Sequence, residues 1–242
     1  MIRDFYKDIE TRKMMNSYLV EITSPMQIPA VAIETRAKAR YSELYVLLKH
    51  QEGPNIVRAE HEALYPREGI SVVRRSDGGN TWYHSNSSRC LTWGRPESKR
   101  EAGQNNWGKQ MTKLFREFCS KELQYIRGDL FLGNHQVIGL SARVIPGARI
   151  HRACWYETDP IKQIALLLEA DGVNSEAFRE RFEVAREFFD YLVERLSPKR
   201  VAFEDYVSDE SIREANELQK AKRMLRPKTC IGELEIKQGH VL

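Results

Sequence analysis

Apolar positions follow two rhythms in this chain, and the change between them is clearest from Trp107 to Gly147. Met111, Leu114, Phe115, Phe118, Cys119, Leu123 and Ile126 recur at helical spacing and predict one buried stripe on a helix. The period then drops. Leu130, Phe131 and Leu132 form a short apolar run, Gly133-Asn134 tolerates positive φ, and residues 137–145 are extended and apolar. The pattern predicts a helix packed on a hairpin that ends at Pro146-Gly147, with residues 149–155 as a further strand.

Elsewhere the same two rhythms predict mostly helices. Residues 1–20 place Ile2, Phe5, Tyr6, Ile9, Met14 and Leu19 among charges, a short amphipathic helix. Such a helix packs on its own core or docks on another chain, and Ile2, Phe5, Ile9 and Met14 would form the docking face. Thr23-Ser24-Pro25 and Pro29 break the pattern and read as a linker. Tyr41, Leu44, Tyr45 and Leu48 fit a second helix, closed by Gly53-Pro54-Asn55, and residues 56–65 allow another. Residues 70–75 and 81–83 flank Asp77-Gly78-Gly79, the signal of a hairpin. Residues 84–106, rich in Ser, Asn and charge, read as a long excursion between two lobes. Asp159-Pro160 opens a helix over 160–169, and Phe178, Phe182, Ala185, Phe189, Leu192 and Leu196 form a seam on a helix over 175–196. A short strand at 201–203 and a helix opened by Ser208 follow, then an extended piece at 231–236. The fold class expected is α+β, helix-rich, with small mixed lobes and short antiparallel hairpins. The expected divisions are an N-terminal helix at 1–24, a first mixed lobe at 30–106 and a helix–hairpin lobe at 107–242.

Composition narrows the function only a little. The chain has 242 residues, enough for a substantial core, and 38 basic against 34 acidic residues give a net charge of +4. An anionic partner would therefore have to be met by a patch and not by the whole surface. No apolar run approaches the length of a membrane span. The four cysteines, Cys90, Cys119, Cys154 and Cys230, are far apart, and the histidines have no second ligand at metal spacing, so no metal site and no cofactor is expected.

No catalytic residue is assigned. Glu117 or Glu122, then Asp129 and Ser141-x-Arg143, fall in the order used by PD-(D/E)xK nucleases. That chemistry needs two carboxylates on Mg²⁺ and a lysine, and Ser141 and Arg143 occupy two of those places. The bland alternative is that Asp129 merely starts a strand. Phosphate-loop and dinucleotide-binding glycine patterns are absent. Basic residues near aromatics are more suggestive. Arg74, Arg75, Arg143, Arg149 and Arg152 would suit backbone phosphates, with alternation placing Arg143 and Arg149 on one face and Arg152 near its turn. A solvated face balanced by Glu157, Asp159 or Glu169 is the alternative.

In order, these features resemble the N-terminal third of the cap-binding (second basic) subunit of orthomyxovirus, influenza-type, RNA polymerases. The resemblance rests on the N-terminal helix, on residues 50–70, on the segments around Trp82 and Trp93, on residues 109–147 ending in Pro-Gly, and on Arg223-Met224-Leu225-Arg226-Pro227. The family's run of consecutive arginines is reduced to Arg143. The resemblance implies a non-catalytic fragment that docks on the catalytic polymerase subunit and steers viral RNA in transcription and replication, without a membrane. It implies the host nucleus as its location, and the cytoplasm is the expectation otherwise. The closing Gly239-His240-Val241-Leu242 would then be a truncation.

Overall fold

The computed structural model describes residues 16–58, 69–76, 81–96, 104–119, 122–126, 129–133, 135–157 and 187–220. They are organised around one large mixed sheet of eight strands, in the order β11-β1-β2-β6-β10-β9-β8-β7. Its members are β1 (Asn16–Ile22), β2 (Leu44–His50), β6 (Ser88–Pro96), β7 (Gln124–Ile126), β8 (Asp129–Leu132), β9 (His135–Ile145), β10 (Ala148–Tyr156) and β11 (Lys199–Val201). β1 runs parallel to both β2 and β11, and every pairing from β2 across to β7 is antiparallel. A second sheet of three strands has the order β4-β3-β5, with β3 (Asn55–Arg58), β4 (Ser71–Arg74) and β5 (Trp82–His84).

The expected helix-rich class is therefore overturned, for a physical reason. β2 is buried at every position but one, so both of its faces are apolar. A strand covered on both sides reads as a continuous apolar run, and LYVLLKH satisfies helical spacing as easily as strand spacing. The Ser- and Asn-rich stretch read as an excursion contains β6, which lies between β2 and β10 in the large sheet. Cys90, Leu91 and Trp93 are its buried anchors. The expected linker carries helix α1 (Gln27–Ala39), with Pro29 in its first turn, where a missing N–H costs no intrahelical bond.

Asp77-Gly78-Gly79 lies outside the described residues, and among the described ones the two strands expected to pair across it do not pair with each other. β4 pairs parallel with one edge of β3, and β5 pairs antiparallel with the other. By contrast, β9 and β10 do form a hairpin through Pro146-Gly147, where Gly147 has φ +81. Helix α2 (Gln104–Cys119) is shorter than the stripe suggested: the chain leaves it before Leu123 and enters β7, where Ile126 is exposed.

Two cores lie on the two faces of the large sheet. On one, α2 and α3 (Phe188–Leu196) pack Trp107, Met111, Phe115, Phe188, Phe189 and Leu192 against Leu47, Leu91 and Trp155. On the other, α1, α4 (Phe203–Tyr206), α5 (Asp209–Lys220) and the small sheet cover Val46, Leu48, Cys90, Ile150 and Cys154. The seam expected on 175–196 is described only from 187 on, and its Phe178, Phe182 and Ala185 lie outside the described residues, as does the helix expected at 160–169. Among the described residues, no helix is long and apolar enough to cross a membrane.

Candidate functional site

The small sheet lies over the face of the large sheet that carries Cys90, Arg152 and Cys154, and the crease between the two is unusually polar for an interior. β4 delivers Arg74, Arg75 and Ser76, which are 2%, 5% and 3% exposed. Backbone pairing carries Arg75 past the end of β4, since its N–H donates to the Arg58 carbonyl at 2.9 Å. Its guanidinium then donates to the Val57 carbonyl at 3.3 Å. The Ser76 carbonyl gathers guanidiniums from two other elements: Arg36 of α1 at 3.4 Å, and Arg143 of β9.

β5 supplies the roof. The Trp82 indole stacks on Tyr156 with ring centroids 5.5 Å apart, and the Tyr156 hydroxyl donates to the Tyr83 carbonyl. Gly139 of β9 is required beneath it, because a Cβ there would lie 2.2 Å from Trp82 Cζ3. His84, at the end of β5, is stacked on His50 of β2 with centroids 4.4 Å apart. His50 Nδ1 sits 2.6 Å from Glu52 Oε1, and its Nε2 sits 3.7 Å from Cys90 Sγ. Arg152 of β10 is 5% exposed, with Nε 3.4 Å from Thr92 Oγ1.

The electrostatics of the crease follow from this packing. Burial pushes His84 well below the usual imidazole range, and the neighbouring His50, Arg152 and Arg75 push it the same way, so it is neutral. Arg75 and Arg152 are buried beside His84, with guanidiniums whose forked donors suit carboxylates and phosphates, while Arg36 pairs with Glu214 at 2.7 Å. Chemically, guanidinium groups can bind a carboxylate or a phosphate, and a neutral imidazole can ligate a metal ion.

The arginines chosen from sequence divide between roles. Arg74 is a structural residue: its guanidinium donates to the Leu218 carbonyl at 2.7 Å, and its backbone exchanges two hydrogen bonds with the Gln219 side chain. Arg75, Arg143 and Arg152 meet at the crease. Arg149 does not. The hairpin register pairs Arg143 with Ile150 and Arg149 with Val144, so Arg143 shares a face with Arg152 while Arg149 points to the opposite one. Counting odd and even positions across the turn gave the wrong pairing. On that opposite face, burial and then Arg95 and Arg149 hold His151 down to about 3. Burial of Arg74, Arg75 and Arg152 also denies them the solvent contact that a surface strip for RNA would use. The proposed docking residues Ile2, Phe5, Ile9 and Met14 lie outside the described residues. Asp129 serves the sheet, its carboxylate accepting the Leu140 N–H at 2.7 Å.

Sequence reasoning missed His50, His84, Glu52, Cys90 and Cys154 as a group, because they come from four different strands and the turn after one of them. The one local signal was the sequence Arg-Arg-Ser-Asp-Gly-Gly at 74–79, basic residues running into a glycine turn.

No family model matches the sequence, and no curated protein sequence matches it significantly. The fold, however, is similar to that of several solved structures. These include LipL1 of P. falciparum in complex with lipoate, at TM-score 0.59 and 10% identity, covering 85% of this chain and 71% of that one. A bipartite lipoate protein ligase from Thermoplasma acidophilum, studied with its E2 lipoyl domain, gives TM-score 0.57 and 14% identity over 88% of this chain and 95% of that one. A lipoate-protein ligase A bound with ATP gives TM-score 0.59 and 14% identity over 87% and 96%. At such identities the likeness establishes the fold. It also overturns the resemblance to a viral polymerase subunit, and with it the polymerase-docking partner, the viral RNA and the role in transcription and replication. The nuclease alternative falls on the same finding.

Proposed function

We propose that this chain is an ATP-dependent acyl ligase of the lipoate-protein-ligase kind, joining a lipoate-like carboxylic acid to the lysine of a lipoyl domain. A free carboxylate does not acylate an amine at neutral pH, so such a reaction needs ATP to turn it into a mixed anhydride, the acyl-adenylate, with release of pyrophosphate; the lysine amine then attacks the acyl carbon and AMP leaves. The observation that carries the reading is the arginine crease, enclosed between two sheets of a fold shared with proteins solved with lipoate, with ATP and alongside a lipoyl domain.

Within that reading the parts have distinct roles. Arg75 and Arg152 neutralise the carboxylate and the phosphate that approaches it, two anions that would otherwise repel. Removing water from the crease strengthens those contacts, and fixed donors need no reorganisation as charge shifts between oxygens. The stacked rings of Trp82 and Tyr156 present an apolar wall to the acyl chain.

The reading is tested by ATP–pyrophosphate exchange in the presence of lipoate or octanoate, and by the mass of a lipoyl domain incubated with both substrates. Exchange that depends on the acid, with an acyl mass added to the domain, is the expected result. Arg152→Gln should lower kcat/KM at least about 100-fold, the scale of losing one charged transition-state contact. Absence of both exchange and mass shift with either acid overturns the proposal.

A further inference from the structure

Beneath the arginines, the crease holds a second arrangement that the acyl-ligase reading does not use. His50, His84 and Cys90 are all buried, and their ligand atoms lie within 4.8 Å of one another. Cys154 of β10 sits directly opposite Cys90 of β6 in the antiparallel register, and the two thiols interact. We propose that His50, His84, Cys90 and Cys154 bind one thiophilic divalent cation, with zinc as the biological ion, tying the small sheet to the large one.

The donor set selects the metal. Two thiolates and two imidazoles are the ligands of a closed tetrahedral zinc site, whereas magnesium and calcium take oxygen. The spacing agrees. Zinc–sulfur and zinc–nitrogen bonds at a tetrahedral angle place S and N about 3.6 Å apart, and Cys90 Sγ lies 3.7 Å from His50 Nε2. The surrounding shell is of the right kind as well. Glu52 holds His50 Nδ1 at 2.6 Å, which leaves Nε2 directed at the sulfur, the carboxylate–histidine arrangement that orients metal ligands.

Two further observations point to a ligand. His84 Nδ1 is buried with no hydrogen-bond partner among the described residues, in a side chain only 3% exposed. Charge also balances, since two thiolates cancel a dication. Metal uptake must therefore release two protons. This inference does not depend on the ligase reading, and its test does not measure acyl transfer.

The experiment is a titration of the metal-free full-length protein with Co(II), followed optically. One equivalent should produce sulfur-to-cobalt charge transfer in the near ultraviolet together with the intense visible bands of tetrahedral Co(II). Zinc should displace it, release two protons per ion into a weakly buffered indicator solution and raise Tm. Changing both other cysteines, Cys119→Ser with Cys230→Ser, should leave the spectrum intact. Cys90→Ser should weaken cobalt binding at least about 100-fold and remove much of the charge-transfer band, and Glu52→Gln, which keeps all four ligands, should weaken it about 10–100-fold. Failure of the wild-type protein to bind Co(II) at millimolar metal overturns the proposal without recourse to any variant. So does an octahedral spectrum lacking charge transfer, or a spectrum that survives Cys90→Ser or disappears in the Cys119/Cys230 double variant.

Discussion

Glu34→Gln should cost stability at neutral pH and almost nothing in strong acid. Glu34 is 7% exposed in α1, and its Oε2 accepts hydrogen bonds from Ser208 N at 3.0 Å, Ser208 Oγ at 2.6 Å and Ser211 Oγ at 2.8 Å. Oε1 lies 2.8 Å from Lys38 Nζ. Ser208 precedes α5, so the carboxylate also faces the positive end of that helix. Burial alone would raise the carboxyl pKa, but the bonds from Lys38, Ser208 and Ser211 outweigh it and lower it from 4.5 to about 2. A shift from 4.5 to about 2 corresponds to at most about 3 kcal/mol. Because the folded pKa is depressed, this stabilisation is fully present above 4.5 and is lost as pH falls through about 2. Glutamine retains an acceptor oxygen but not the charge, so a difference of about 2–3 kcal/mol is expected at pH 7, or a urea midpoint lowered by about 1 M. Urea unfolding of both proteins from pH 7 to pH 2 measures it, since all other carboxylates cancel in the comparison. A gap that stays constant down to pH 2, or that is absent at pH 7, refutes the assignment of this carboxylate as the anchor of α5.

Three further outcomes follow from packing. Phe188→Ala removes a fully buried ring whose centroid lies 4.4 Å from Phe115 and 5.2 Å from Trp155, and should destabilise by about 3–5 kcal/mol in chemical denaturation. Gly139→Ala drives a Cβ into Trp82, and should cost about 1–3 kcal/mol and alter the near-ultraviolet circular dichroism as the Trp82–Tyr156 stack breaks. Gln219→Leu leaves the Arg74 backbone N–H and carbonyl without their side-chain partner, and should cost about 1–3 kcal/mol and speed amide exchange in α5.

What could be read from the sequence was whatever is local. The β8–β9 and β9–β10 turns, the amphipathic stripe of α2 and the helix opening after Ser208 were legible, because each is decided by spacing or turn residues within about a dozen positions. β1 and β2 were not. They pair in parallel, with α1 as their crossover, and β2, buried on both faces, carries no alternation to mark it. Pro29 then hid α1, because a proline in the first turn of a helix looks the same as a proline in a linker. Once β1, α1 and β2 were lost, the remaining helices and hairpins suggested small lobes.

The site was hidden by the same feature of the fold. Arg75, Ser76 and His84 are near neighbours in sequence, but their partners Arg143 and Arg152 arrive from β9 and β10, on strands placed by pairings no local pattern records. The basic clusters were visible, and their burial was not. That difference decides the chemistry. Exposed arginines are screened by salt, whereas guanidiniums buried between two sheets interact at lower dielectric. Such charges are costly to bury without partners, and here backbone carbonyls receive several of them: Val57 takes Arg75, Ser76 takes Arg36 and Arg143, and Leu218 takes Arg74. Arg36 has a carboxylate as well, its guanidinium 2.7 Å from Glu214 Oε1, so the crease is assembled by contacts that join α1, β3, β9 and α5 and that no single segment of sequence displays.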